Sequence, residues 1–177
     1  MDTLYPHLVG TPYPLSSDEP AAAPRAGATP VWDDRCVSES LLTDEVRQAL
    51  TAGRLAHLST TNVDGSPQVS VVWAGVDGDD IVIGHLGAGR KIDNITRDPR
   101  VVVSMEADGA NPVGLTHHLI IRGIARLEPG GAPELLQRLA EVYLGPGVRF
   151  PPFDDPPAGN VIHITPTRVG GVGPWAG

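Results

Sequence analysis

Apolar residues recur at every second position in short runs, and the runs are separated by Gly, Asn, Asp and Pro. Alternation of this kind is the signature of strands with one buried face. It predicts strands over residues 54–61, 68–74, 80–85, 100–106, 119–127 and 161–166. Asn62-Val63-Asp64-Gly65 and Asp77-Gly78-Asp79 are hairpin turns between the first three. Three stretches switch to helical spacing. The first starts behind Thr43, a good N-cap followed by Asp44 and Glu45, with Val46, Ala49 and Leu50 on one side and Gly53 as its end. The second follows Gly89 and stops near Asp98-Pro99. The third covers residues 133–144 and puts Leu135, Leu136, Leu139, Val142 and Tyr143 on an apolar face. Short hairpin-linked strands with two to three flanking helices give an α+β chain, mainly β, built around an antiparallel barrel.

Residues 1–40 break this pattern. Pro6, Pro12, Pro14, Pro20, Pro24 and Pro30 punctuate them, which excludes a regular helix or a central strand. They are read as a Pro/Ala-rich acidic N-terminal arm, either disordered or laid over a surface through Tyr5, Tyr13 and Trp32. Residues 41–177 are read as a single cofactor-binding domain. Charge follows the same division. The formal net charge of -8 is concentrated in residues 1–45, which hold eight acids against two bases, so the remainder is nearly balanced. A basic face for nucleic acid is not evident. The single cysteine, Cys36, can form neither an internal disulfide nor a CxxC metal site. No apolar run approaches the roughly 18 residues of a membrane span, and no leader pattern opens the chain. A cytoplasmic protein without membrane or nucleic-acid partners is expected.

The chain has one lysine, Lys91, and it directly follows Arg90. The pair sits in Gly87-Ala88-Gly89-Arg90-Lys91, between the predicted strand 80–85 and the second helix. Such a turn directs free backbone N–H groups and the positive helix end at an anion. Arginine adds a planar fork and lysine a point charge. Within residues 89–100, Arg90, Lys91, Arg97 and Arg100 face Asp93 and Asp98, an island suited to a small anionic ligand. The plainer alternative is a solvated pair on an exposed first turn.

The order of these segments resembles the pyridoxamine 5'-phosphate oxidase-like split barrels, and more narrowly their actinobacterial branch that uses the deazaflavin coenzyme F420. The resemblance rests on "NVDGSPQVSVVW", "DDIVIGHLGAGRKIDNITRDPRVVVSM", "HLIIRGIARLEP" and the closing "ITPTRVGGVGPW", and covers residues 41–177. It implies a split β-barrel homodimer with a shared cofactor site. Gln68, Val69, Ser70, Val71 and Trp73 then lie along the ring. Gly84, His85, Arg90, Lys91 and Asn94 hold the phosphate, and Trp175 or loop 145–157 comes from the second subunit. Relatives often carry a basic residue where Gly89 stands. The implied activity is hydride transfer between coenzyme F420 and a small organic substrate, such as an activated C=C or C=N. The alternatives are an FMN-dependent oxidase or reductase and a non-catalytic flavin or F420 carrier.

Neither a Ser-His-Asp triad nor a metal-ligand cluster is evident, and a two-electron reductase needs neither. His117 and His118 are the candidates for proton delivery, against a purely structural role at the start of their strand. His57 alternates with Leu55 and Leu58 and is read as structural. The Pro-rich loop 145–159 is a substrate lid or a connector. A groove bearing Arg54, Arg97 or Arg100 and leading away from Lys91 would favour coenzyme F420, whose glutamyl tail is polyanionic.

Overall fold

The computed structural model describes residues 40–176. The arm and its aromatic residues, together with Cys36, lie outside the described residues. The order is α1 (Asp44–Thr51), β1 (Ala56–Thr61), β2 (Pro67–Val72), β3 (Gly75–Asp77), β4 (Asp80–His85), α2 (Arg90–Arg97), β5 (Arg100–Ala110), β6 (Thr116–Pro129), α3 (Ala132–Tyr143) and β7 (Asn160–Val172). All seven strands join one antiparallel sheet in the order β2-β1-β5-β6-β7-β4-β3. The two outer strands, β2 and β3, are consecutive in the chain and joined only by Trp73-Ala74. The sheet therefore curls until its edges meet at a covalent link, with no ladder between them. This is the split barrel that the alternating pattern and the resemblance predict.

Pleating decides what fills the barrel. Leu58, Ile81, Ile83, Val103, Leu119, Ile121, Ile162 and Ile164 point inward and are almost fully buried, and α1 adds Val46 and Leu50. The outer face of β4 and β7 is covered by α3, where Leu135 and Leu139 pack on Val82 and Val161. That helix comes so close that a Cβ on Gly84 would stand 2.8 Å from the Leu136 side chain. Among the described residues the outer face of β2, β1, β5 and β6 carries no helix of this kind, and Val69, Val71, Ile120 and Ile124 are exposed on it.

Differences from the sequence reading are local. The predicted strand 68–74 breaks at Trp73-Ala74, and β3 follows as an element the pattern did not show. Strands β5, β6 and β7 run further than predicted. The added residues are mostly small or polar, Ala107-Asp108-Gly109-Ala110 in β5 and Thr116-His117-His118 in β6, and carry little hydrophobic signal, and the β5–β6 register shifts between Glu106 and Ala110. Val142, assigned to the apolar face of α3, is instead exposed, with its carbonyl against Gly53.

Candidate functional site

Strand β4 delivers His85 to the Gly87–Gly89 turn, and α2 begins at Arg90. Gly89 is the N-cap and has no side chain with which to satisfy the first-turn amides. Lys91 is half-buried, and burial lowers its pKa. Among the described residues no carboxylate pairs with it. A cation withdrawn from water without a counter-charge is costly, and an anionic ligand would remove that cost.

Lys91 opens onto a cleft of about 330 Å³, walled by Val71, Trp73, His85, Leu86, Leu136 and Phe150, with Leu55, Val72 and Gly84 completing it. The wall is aromatic and fixed. Trp73 stacks on Tyr143 with centroids 5.2 Å apart and planes 14° apart, and Phe150 leans on Trp73 at 4.8 Å. Tyr143 is anchored in turn, since its hydroxyl accepts the Ala74 N–H at 3.0 Å and lies within donating distance of the Ala74 and Arg54 carbonyls. His85 Nε2 is buried without a hydrogen-bond partner. Burial first, and Lys91 second, push the His85 pKa below its usual value, while the Ala88 backbone works the other way. At neutral pH the ring is uncharged, and Nδ1 or Nε2 offers a lone pair beside the cation.

Val71, Trp73, Gly84, His85 and Lys91 are thus brought together. Of the other residues anticipated there, Arg90 stands next to Lys91 on the same turn, and the rest lie elsewhere in this chain. Asn94, taken as a helper on phosphate, is 2% exposed and turned into the body. Its amide donates to Thr60 Oγ1 and Asn62 Oδ1 at 3.0 Å and accepts from Arg97 at 3.2 Å. Gln68 and Ser70 share a face, as alternation requires, and it is the inner one. Thr60 donates to Gln68 at 2.7 Å, and Gln68 donates to Ser70 at 2.9 Å. Val69 points outward and Arg90 is exposed at the mouth of the turn. Trp175, expected at the site from the second subunit, lies with His117 in this chain around a different pocket, and its indole N–H donates to the His118 carbonyl.

The three arginines considered for a polyanionic tail are all engaged. Arg54 pairs with Asp108, Arg97 donates to the Thr61 carbonyl, and Arg100 holds Asp98, whose pKa it lowers to about 2. Leu55, Val72, Leu86, Leu136 and Phe150 were missed. Phe150 had a signal, as an aromatic in the Pro-rich loop 145–159. The leucines and Val72 read only as packing. Among the described residues no group of His, Cys, Asp and Glu is placed to hold a metal, and no helix is long and apolar enough to cross a membrane.

A mainly antiparallel split barrel with a cationic strand-to-helix turn beside an aromatic cleft defines a class of cofactor-binding proteins. Residues 42–173 match the pyridoxamine 5'-phosphate oxidase family, and the chain belongs to it. That fold family binds flavins and contains oxidoreductases. Among solved structures, an F420 reductase is 26% identical with a TM-score of 0.55, the match covering 70% of this chain and 94% of that one. A conserved hypothetical protein from Mycobacterium tuberculosis is 24% identical, with a TM-score of 0.54 and coverage of 71% and 80%. A heme binding protein from Mycobacterium smegmatis is 20% identical, with a TM-score of 0.52, over 71% of this chain and 51% of that one. The last two likenesses concern the fold alone. A search of curated proteins finds no match.

Proposed function

We propose that this chain is an oxidoreductase that binds coenzyme F420 with its phosphate at Lys91 and acts on a small organic substrate such as an activated C=C or C=N. The observation that carries this reading is the half-buried Lys91, without a carboxylate partner among the described residues, at an uncapped helix start beside an aromatic wall. The residues fit the group: a cation and free amides for a phosphate, and Trp73 and Phe150 for a ring. The 26% identical F420 reductase supports this choice of cofactor. A deazaflavin, when bound, supplies hydride transfer; the protein supplies binding, orientation and dryness. Lys91 and the α2 amides fix the anionic end. Trp73, Phe150 and Leu136 exclude water from the other end. His85 stays neutral and accepts a hydrogen bond without adding a second charge.

The cleft is small for a drug-sized ligand, at the low end of the roughly 300–1,000 Å³ usual for such pockets. Leu55 and Val71, both in its lining, are more than half exposed. Val71 continues onto the uncovered outer face with Val69. A second copy laid over that face would enlarge and close the site, so the working unit is a homodimer. FMN is the second reading, favoured by the engagement of Arg54, Arg97 and Arg100 with partners within the chain, since FMN needs only the phosphate grip. Side-by-side fluorescence and dialysis titrations with coenzyme F420 and FMN test the reading. Micromolar or tighter F420 binding with weak FMN binding supports it. Preference for FMN moves the chain to the flavin branch, and binding of neither removes the cofactor assignment. Binding without turnover in a substrate screen would make it a carrier.

A further inference from the structure

Between α3 and β7 the chain runs without helix or strand, and among the described residues the stretch 146–157 makes no backbone-to-backbone hydrogen bond. A long connection of this kind is held by side chains and by what it packs on. One side chain of the body ties it down. The Gln137 amide nitrogen donates to the Val148 carbonyl at 2.8 Å, and its amide oxygen accepts the Phe150 N–H at 2.9 Å. A side-chain amide carries both a donor and an acceptor, so it engages two backbone groups of an extended segment as a neighbouring strand would. Among the described residues no other hydrogen bond joins 146–157 to the rest of the chain. The remaining ones, from Arg149 to the Phe153 carbonyl and to Asp154, stay within the loop. Gln137 itself stands on fixed ground, because Leu135 and Leu139 of the same helix are packed on Val82 and Val161.

What this latch holds is Phe150. The ring leans on Trp73 at 4.8 Å and lines the Lys91 cleft of its own chain. Its other side borders a groove of about 420 Å³ between α3 and the loop, where Glu134, Gln137, Arg138 and Phe153 stand. Phe150 is the one residue that lines both hollows. It is therefore a partition. With the ring in place the cleft is walled beside Trp73; with the ring displaced the cleft runs on into the groove and water follows. Leu136, on the cleft side, and Gln137, on the loop side, are neighbours on α3. One helix thus supplies a wall of the cleft and the latch for the facing one.

We infer that Gln137 is a positioning residue of this site: it latches the loop, keeps Phe150 against Trp73, and so retains the ring of a bound cofactor and shields it from water. The inference rests on the reading that the Lys91 cleft binds coenzyme F420 or FMN. The test uses the full chain, stopped-flow release of each cofactor, and hydrogen exchange of the Phe150 amide. Gln137→Leu keeps the volume and the helix and removes both bonds. It should expose the Phe150 amide to exchange and speed cofactor release roughly tenfold or more, with little change in Tm. Gln137→Glu supplies a signature that a mere anchor would not give. Its carboxyl accepts the Phe150 N–H at any pH but donates to the Val148 carbonyl only when protonated. Release from it should slow toward the parent rate as pH falls into the carboxyl range, with no such recovery in Gln137→Leu. Phe150→Ala, which leaves the backbone bonds in place, should speed release without speeding exchange. Arg149→Ala, which breaks only the pair inside the loop, should leave both as they are. If Gln137→Leu does not fold, Gln137→Glu and Phe150→Ala decide. An exposed Phe150 amide with unchanged release overturns the inference and leaves the cofactor reading standing. So does release from Arg149→Ala as fast as from Gln137→Leu, or the lack of recovery in Gln137→Glu. A parent chain that binds neither cofactor removes the reading, and the inference with it.

Discussion

A lone lysine after an arginine on a glycine turn pointed to the candidate anion site from the sequence alone. Lys91, His85, Gly84, Trp73 and Val71 converge as expected; Asn94, Gln68 and Ser70 do not, because periodicity shows that residues share a face but not which face a curled sheet turns inward. Replacing both Arg90 and Lys91 by Ala should weaken cofactor binding strongly, since each charge-assisted bond contributes roughly 1.5–3 kcal/mol. Dialysis titration checks this, and unchanged affinity would remove the phosphate assignment. His85 gives a pH prediction. Its folded pKa lies below the ordinary 6.5, so as pH falls below that value the unfolded chain takes up a proton that the folded one resists. Stability from this group is complete above pH 6.5 and declines below it. A His85→Gln variant should therefore show a flatter profile of Tm against pH on the acid side. An identical slope in the variant would mean that His85 titrates normally.

Between elements, helix α2 is tied to the β1–β2 hairpin by one buried side chain. Asn94 reaches Thr60 and Asn62, Thr60 reaches Gln68, and Asn62 donates to Ser66 at 3.0 Å. Asn94→Ala strands these buried partners and should cost about 1–3 kcal/mol in urea unfolding. It should also loosen the turn that presents Lys91, so cofactor affinity falls although the side chain never meets a ligand. Loss of stability with unchanged affinity would separate the two effects. Most elements were readable from the spacing. Thr43, the predicted cap, does accept from the Val46 N–H, and β4 has the predicted limits. Strand β3 was not readable, because Gly75-Val76-Asp77 is too short to show alternation and only its pairing with Val82, Ile81 and Asp80 makes it a strand.

For the whole molecule, the outer face of β2, β1, β5 and β6 is where the proposed second copy would sit. Val69 and Val71 on β2 and Ile120 and Ile124 on β6 are exposed on it, with His57 of β1 and Ser104 of β5 lying between Val71 and Ile120. Ile124→Asp should convert a dimer to a monomer in sedimentation velocity and lower cofactor affinity with it. A monomeric parent protein would dismiss the shared site. This face was invisible in the sequence, since an alternating strand does not say whether a helix or another copy covers its second side.

The joint at Trp73-Ala74 has a mechanical consequence. Every other neighbouring pair of strands is laced by a ladder, so this is where the cylinder can widen without breaking one. Tyr143 acts there as a rivet: its hydroxyl grips the Ala74 amide and its ring clamps Trp73. Tyr143→Phe would leave the ring and remove the grip. Backbone amides flanking Ala74 should then exchange hydrogen faster than those of β6, and a ligand in the adjoining cleft should slow them again, as if lacing the open side shut.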